Sequence, residues 1–183
     1  MSSFKESIQR SLVGRTLKEM RLHQVNPGHV IIEEGRCWSV DGGVELTLDD
    51  STWCFGWYQE RDEFTFQPRL LNNLSPELES APLDLEAFWS LQQLLGQRID
   101  KVEIETMIWE DFASDLELVL DLRLSFSGGH TLQIATVDFD LEREGTDDIT
   151  YNLSAFLLVS VNRTFPIKHP LEQDPTLGLP REE

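Results

Sequence analysis

The chain has 183 residues, 40% of them hydrophobic and 26% charged, and no apolar run reaches the roughly 20 residues of a membrane-spanning helix. Its 15 basic side chains stand against 33 acidic ones, a net charge of −18. That sign works against binding nucleic acid or an anionic membrane surface, since both demand cations.

The imbalance is uneven. Residues 1–22 carry five bases and two acids, a local +3, which leaves −21 for the remainder. The opening MSSFKESIQRSLVGR lacks an uninterrupted apolar core, so a secretory leader is not expected and the cytoplasm is the expected compartment. Cys37 and Cys54 have no C-x-x-C spacing; they could meet across neighbouring strands, and in a cytosol they would stay reduced.

In chain order, SFKESIQRSL predicts a helix. Ser3 and Glu6 fit a capping box, Phe4, Ile8 and Leu12 share one face, and Gly14 is a stop. RTLKEMRL (15–22), HVIIEE (29–34) and VELTL (44–48) predict strands. The first places Leu17, Met20 and Leu22 inward with one irregularity. A DDST turn leads into WCFGWYQE and then EFTFQP (63–68), where Trp53, Phe55 and Trp57 share a strand face and Tyr58 takes the other. Residues 69–82, with Asn-Asn, Ser-Pro and Ala-Pro, read as a connector.

LDLEAFWSLQQLLG (83–96) predicts the clearest helix, with Asp84 as cap, Gly96 as stop and an inward stripe that includes Leu85, Phe88, Trp89, Leu91, Leu94 and Leu95. LELVLDLRLSF (116–126) alternates without a break from Leu116 to Phe126, which predicts a strand with all six apolar residues on one face. SGGH suits a hairpin turn, TLQIATVDFDLE returns, and TYNLSAFLLVSV (150–161) gives a last strand. Four of the eight prolines fall in residues 165–183, which predicts an irregular tail with Leu171, Leu177 and Leu179 as anchors.

LVGRTLKEMRL (12–22) aligns with LLGQRIDKVEI (94–104), glycine on glycine. The expected fold is therefore α+β: two similar helix-plus-antiparallel-β-meander units, residues 1–68 and 83–164. A connector at 69–82 joins them, they pack or pair into one β-rich body, and the tail 165–183 follows. One meander leaves an apolar face exposed; a second buries it.

Catalytic signals are weak. The four histidines are scattered, no G-x-S-x-G is present, and the glycine pairs DGGV and SGGH are not followed by a helix carrying Lys-Ser/Thr. Alternate strand carboxylates are the ordinary wet face of a sheet, and there is no EF-hand loop and no H-E-x-x-H. No cofactor or metal is expected. A pocket between the two units, lined by His130, Cys54 and Trp57, is the alternative that would suit a small molecule or a weak hydrolase. Self-association through a sheet edge is a third possibility.

Two runs dominate the charge. EIETMIWEDFASDLE (103–117) has six acids and no base; DFDLEREGTDD (138–148) has six acids and one base. They nominate Glu103, Glu105, Glu110, Asp111 and Asp115 around Trp109, with Asp138, Asp140, Glu142, Asp147 and Asp148, as a surface for a basic partner.

The phrases at 12–22, 44–57, 94–104 and 116–137, in which G-x-x-I-x-x-v precedes l-x-l-x-F-x-d/g-G-x-x-L-x-i, resemble small bacterial proteins. These include immunity proteins that neutralise polymorphic toxins. The first copy departs from the pattern, with DDST in place of the glycine pair. The resemblance implies a non-enzymatic binding protein that occludes a basic toxin domain such as a nuclease; it carries over no binding residue.

Overall fold

The structure, a computed structural model, describes residues 4–24, 31–33, 37–58, 63–68, 81–82, 89–110, 115–139, 149–152 and 156–168. Helix α1 (Phe4–Leu12) precedes β1 (Glu19–Gln24), β2 (Ile31–Glu33), β3 (Cys37–Val40), β4 (Gly43–Thr47), β5 (Thr52–Tyr58), β6 (Glu63–Gln67) and β7 (Ala81–Pro82). Helix α2 (Trp89–Gln92) follows, then β8 (Ile99–Glu110), β9 (Asp115–Phe126), β10 (Thr131–Phe139), β11 (Ile149–Tyr151) and β12 (Phe156–Val161). The strands form two antiparallel sheets, so the chain is β-rich with both helices and strands. One sheet runs β6-β5-β4-β1-β7; the other runs β2-β3-β12-β10-β9-β8, with β11 added to β10.

Alternation sends one face of each sheet into a shared interior. Met20, Leu22, Val44, Leu46, Trp53 and Phe55 come from the smaller sheet, and Val102, Leu122, Leu124, Ile134, Leu157 and Val159 from the larger. Ile8 and Leu12 of α1, with Leu91 and Leu94 beside α2, complete that cluster. Phe66 stacks on Trp53 at 5.1 Å and tilts on Phe55 at 4.8 Å. Each such aromatic removes about 150–250 Å² from water, so this trio is core.

The sheets are stitched where β1 and β8 begin. Gly14 N–H donates to Ile99 O and Gly96 N–H to Leu17 O, both at 2.8 Å. Ile99 N–H donates to Arg15 O at 2.8 Å and Leu17 N–H to Gln97 O at 3.0 Å, around an antiparallel bridge between Thr16 and Arg98. Both glycines end a helical turn at positive φ, 83° and 77°, where an L residue is strained. The same two amides beyond the stitch reach forward: Thr16 N–H donates to Asp49 Oδ2 at 2.8 Å and Arg98 N–H to Ser127 Oγ at 3.4 Å.

Strand β9 departs from the simple alternation. Across from it, Glu105 pairs with Asp121 and Thr106 with Val119, so Leu120 is an extra residue, a β-bulge. The bulge reverses the phase. Leu122, Leu124 and Phe126 enter the shared core, whereas Leu118 and Leu120 join a second cluster on the outer face of the larger sheet. The single apolar face expected for 116–126 is thus divided between two cores. The bulge also marks a fork. Pairing of β9 with β10 ends at Asp121 opposite Ala135, and β11 takes over along Val137–Phe139. Thr136 Oγ1 donates to the bulge carbonyl of Leu120 at 3.3 Å.

Other expectations shift as well. The strand expected at 150–161 is two strands, β11 and β12. Cys37–Val40, which the sequence assigned to no element, is a strand that carries part of the first half into the second sheet, against β12. Trp89 is 53% exposed and Leu95 also lies outside, so of the described part of the stripe only Leu91 in α2 and Leu94 in the turn after it face inward. Residues 165–168 of the expected irregular tail are a strap: Phe165 is buried in the outer cluster, and Lys168 exchanges backbone bonds with Ile149 and Tyr151. Phe165, not a leucine, is its described anchor; Leu171, Leu177 and Leu179 lie outside the described residues, as do Ser3, Asp84, Leu85 and Phe88.

A methyl group built on Gly14 or Gly96 meets nothing within 4 Å. Gly14→Ala and Gly96→Ala are therefore each expected to lower stability by about 1–2 kcal/mol through backbone strain alone. Urea unfolding measures it; a loss at only one of the two sites would break the equivalence of the stitch.

Candidate functional site

The first acidic run folds into the hairpin of β8 and β9. The register places Glu105 opposite Asp121, Ile108 opposite Glu117, and Glu110 opposite Asp115. The same register sets Glu103 opposite Arg123, an acid facing a base, and Arg123 also holds the Asp121 carboxylate at 2.7 Å. Glu103 and Glu105 are exposed. Lys101 Nζ contacts Glu103 Oε1 at 2.9 Å, an exposed pair that is weak by its nature. Thr106 Oγ1 donates to Glu117 Oε1 at 2.8 Å. Ile108 is 64% exposed, the most exposed large apolar side chain among the described residues.

The structure therefore brings Glu103, Glu105, Trp109, Glu110 and Asp115 onto one hairpin. Trp109 and Glu110 close β8 and Asp115 opens β9. Asp138 lies elsewhere, exposed on β10, where Asn152 Nδ2 donates to its Oδ2 at 3.5 Å. Asp111, Asp140, Glu142, Asp147 and Asp148 lie outside the described residues. Cations of the N-terminal region are paired rather than gathered into a basic patch: Arg15 with Asp50 at 2.9 Å, Lys18 with Asp49 at 3.2 Å and Arg21 with Glu19 at 2.7 Å. With 15 bases against 33 acids, at least 18 acids have no one-to-one basic partner anywhere in the chain.

At the fork beneath the hairpin lies a polar knot that the sequence did not reveal. Asp121 is 1% exposed. Its Oδ2 accepts from Arg123 Nη2 at 2.7 Å, Arg123 Nε at 2.9 Å, Gln133 Nε2 at 2.9 Å and Tyr151 Oη at 3.3 Å. Its buried Oδ1 has no hydrogen-bond partner. Burial raises the Asp121 carboxyl above the usual carboxylate range, against the opposing pull of Arg123, Gln133 and Tyr151. Burial, followed by the Asp121 charge, raises the Tyr151 phenol. Gln133 also clamps the strap: Phe165 N–H donates to its Oε1 at 2.8 Å and its Nε2 donates to Phe165 O at 3.2 Å. Asp121 and Arg123 stand at alternate positions of β9, which reads as wet face; Gln133 of β10 and Tyr151 of β11 meet Asp121 only in the fold.

The outer face of the smaller sheet has its own buried polar pair. His23 Nε2 and Glu45 Oε2 are 3.0 Å apart, and Cys54 stands directly across from Glu45. Cys37 belongs to the outer cluster of the larger sheet, so the two thiols lie on opposite outer faces and form no disulfide. Both are buried, and the cross-strand meeting that the sequence allowed does not occur. His130 sits at the β9–β10 turn, its Nδ1 within 3.2 Å of Asn162 Oδ1, remote from the face that carries Cys54. The structure does not bring His130 and Cys54 together between the sheets. No group of three metal-ligating side chains converges among the described residues.

Comparison with protein-family models, with curated proteins and with solved structures finds no match to this chain. No described helix is long and apolar enough to cross a membrane.

Two outcomes follow from the knot. Gln133→Leu leaves both backbone groups of Phe165 buried without this partner, so stability should fall by about 2–3 kcal/mol and trypsin should cut after Arg163 sooner. Unchanged proteolysis would show that the strap is held by other means. The raised Asp121 carboxyl binds its proton more tightly folded than unfolded. Its contribution to stability is therefore complete below the ordinary carboxylate range and declines as pH climbs through the raised value. Urea midpoints across that range should lose this declining component in Asp121→Asn; parallel profiles for the two proteins would contradict the assignment.

Proposed function

We propose that the protein is a non-enzymatic binding module that docks a basic protein surface on the β8–β9 hairpin. One observation carries this reading. Strand β8 holds Glu103 and Glu105 exposed on one face and Ile108, 64% exposed, on the other. A partner with cationic and apolar side chains complements both faces. The net charge of −18 draws such a partner in over long range. A toxin-neutralising immunity protein acting in the cytoplasm is the specific form proposed, with a basic toxin domain as its target and both thiols suited to a reducing compartment.

We also read the fold as an internal duplication. Three features support it: the reciprocal bonds of the stitch, the matching strand orders β6-β5-β4-β1 and β12-β10-β9-β8, and the inward triads Leu17, Met20, Leu22 and Ile99, Val102, Ile104. In this reading the β8–β9 hairpin is the second copy's counterpart of β1 and β4, lengthened and made acidic.

The test is capture of a partner from the native host at low salt, followed by calorimetry with the purified partner. A basic chain should bind, and affinity should fall at least about tenfold between 0.05 and 0.3 M salt as the charges are screened. Glu103→Lys with Glu105→Lys should weaken it further. A neutral or acidic partner, or salt-indifferent affinity, would contradict the proposal.

A further inference from the structure

Strand β8 is an end strand of the larger sheet, and its two halves are treated differently. Over its first turns the outward edge is occupied: Ile99 exchanges backbone bonds with Gly14 and Arg15, and Gln9 Nε2 donates to Val102 O at 3.0 Å. Beyond Val102, the described residues supply β8 with one strand partner, β9.

The backbone direction follows from that Gln9 contact. In a strand the N–H and C=O of a residue point to the same side, and the side alternates. Since the Val102 carbonyl faces the edge, so do the amides and carbonyls of Ile104, Thr106 and Ile108, while those of Glu103 and Glu105 face β9. The side chains alternate too. Ile104 packs toward the shared core, so Glu103 and Glu105 occupy the outer face, and Thr106 and Ile108 the inner face.

The edge lacks the usual safeguards. Residues 102–110, VEIETMIWE, contain no proline, lysine or glycine, and β8 is 12 residues long. The other end strands are short: three residues in β2, five in β6 and two in β7. What guards β8 is its acidity, which repels a second copy of the same strand and admits a basic one.

Resting on the proposed docking of a basic partner, we infer that recognition is by strand addition. An extended segment with alternating basic and aliphatic residues pairs with the edge of β8 over residues 103–110, where the amides of Ile104, Thr106 and Ile108 meet no described strand. Its basic side chains lie beside Glu103 and Glu105, and its aliphatic ones cover Ile108 beside Ile104. Main-chain bonds give the affinity and the alternating side chains the selectivity.

The test uses the full chain and two capped peptides of about ten residues, the length that spans such a strand. Both alternate Lys and Val; the second is N-methylated at every other residue, on the side that would face β8. The parent should bind and should slow hydrogen exchange at Ile104, Thr106 and Ile108. N-methylation should weaken it at least tenfold, and Glu103→Lys with Glu105→Lys should abolish it. Equal affinity of the two peptides would overturn strand addition while leaving electrostatic docking intact. Protection confined to another sheet edge, or no binding by either peptide, would overturn the inference. So would protection of the same three amides by dimerisation in the absence of peptide. Partner capture that loses its salt dependence would instead remove the underlying docking proposal.

Discussion

One extra residue organises the larger sheet of this protein. Leu120 sits in β9 with no counterpart in β8, and that insertion turns the strand over. Before it, alternate leucines face the outer cluster; after it, they face the shared core. The ladder to β10 ends one residue later, where β11 begins to replace β9. Beyond the bulge, the hairpin pairs with no third strand among the described residues. The bulge also creates the fork that Asp121, Arg123, Gln133 and Tyr151 fill.

That fork explains why a carboxylate is buried in an otherwise apolar region. Asp121 Oδ2 collects four contacts from three side chains, and Gln133 passes the constraint to both backbone groups of Phe165. Such a network specifies one arrangement of β9, β10, β11 and the strap, because a register slip would strand several polar groups without partners. The unpartnered Oδ1 is the local expense of that specification. Above it the hairpin carries charge that the network does not neutralise. Of the two cations beside the acids of β8, Arg123 is committed to Asp121 and Lys101 pairs with Glu103 at the hairpin's base.

Much of the fold was legible because local rules and tertiary structure agree. Gly14 and Gly96 end helical turns, Val44, Leu46, Trp53 and Phe55 alternate inward, and the spacing of Leu17, Met20 and Leu22 survives as the same irregular triad in β8. What escaped notice depends on distant partners. Period 2 cannot reveal a bulge, so the leucines of β9 looked uniform. Pro166 suggested irregularity, yet Phe165 beside it is a buried anchor. Trp89 fitted a helical stripe but faces outward, because the described helix is only four residues and offers the interior Leu91 with the following Leu94. For the candidate site, the acids of 103–117 were visible as composition. Their facing register, and their separation from Asp138, required the pairing itself.

The central claim is the proposed contact surface on the acidic β8–β9 hairpin, and hydrogen exchange of the full chain with and without a saturating basic partner tests it most directly. The account predicts new protection concentrated in residues 103–117, with β4, β5 and the stitch at Thr16 and Arg98 unchanged. Protection that appears on the smaller sheet, while the hairpin exchanges as before, would contradict it.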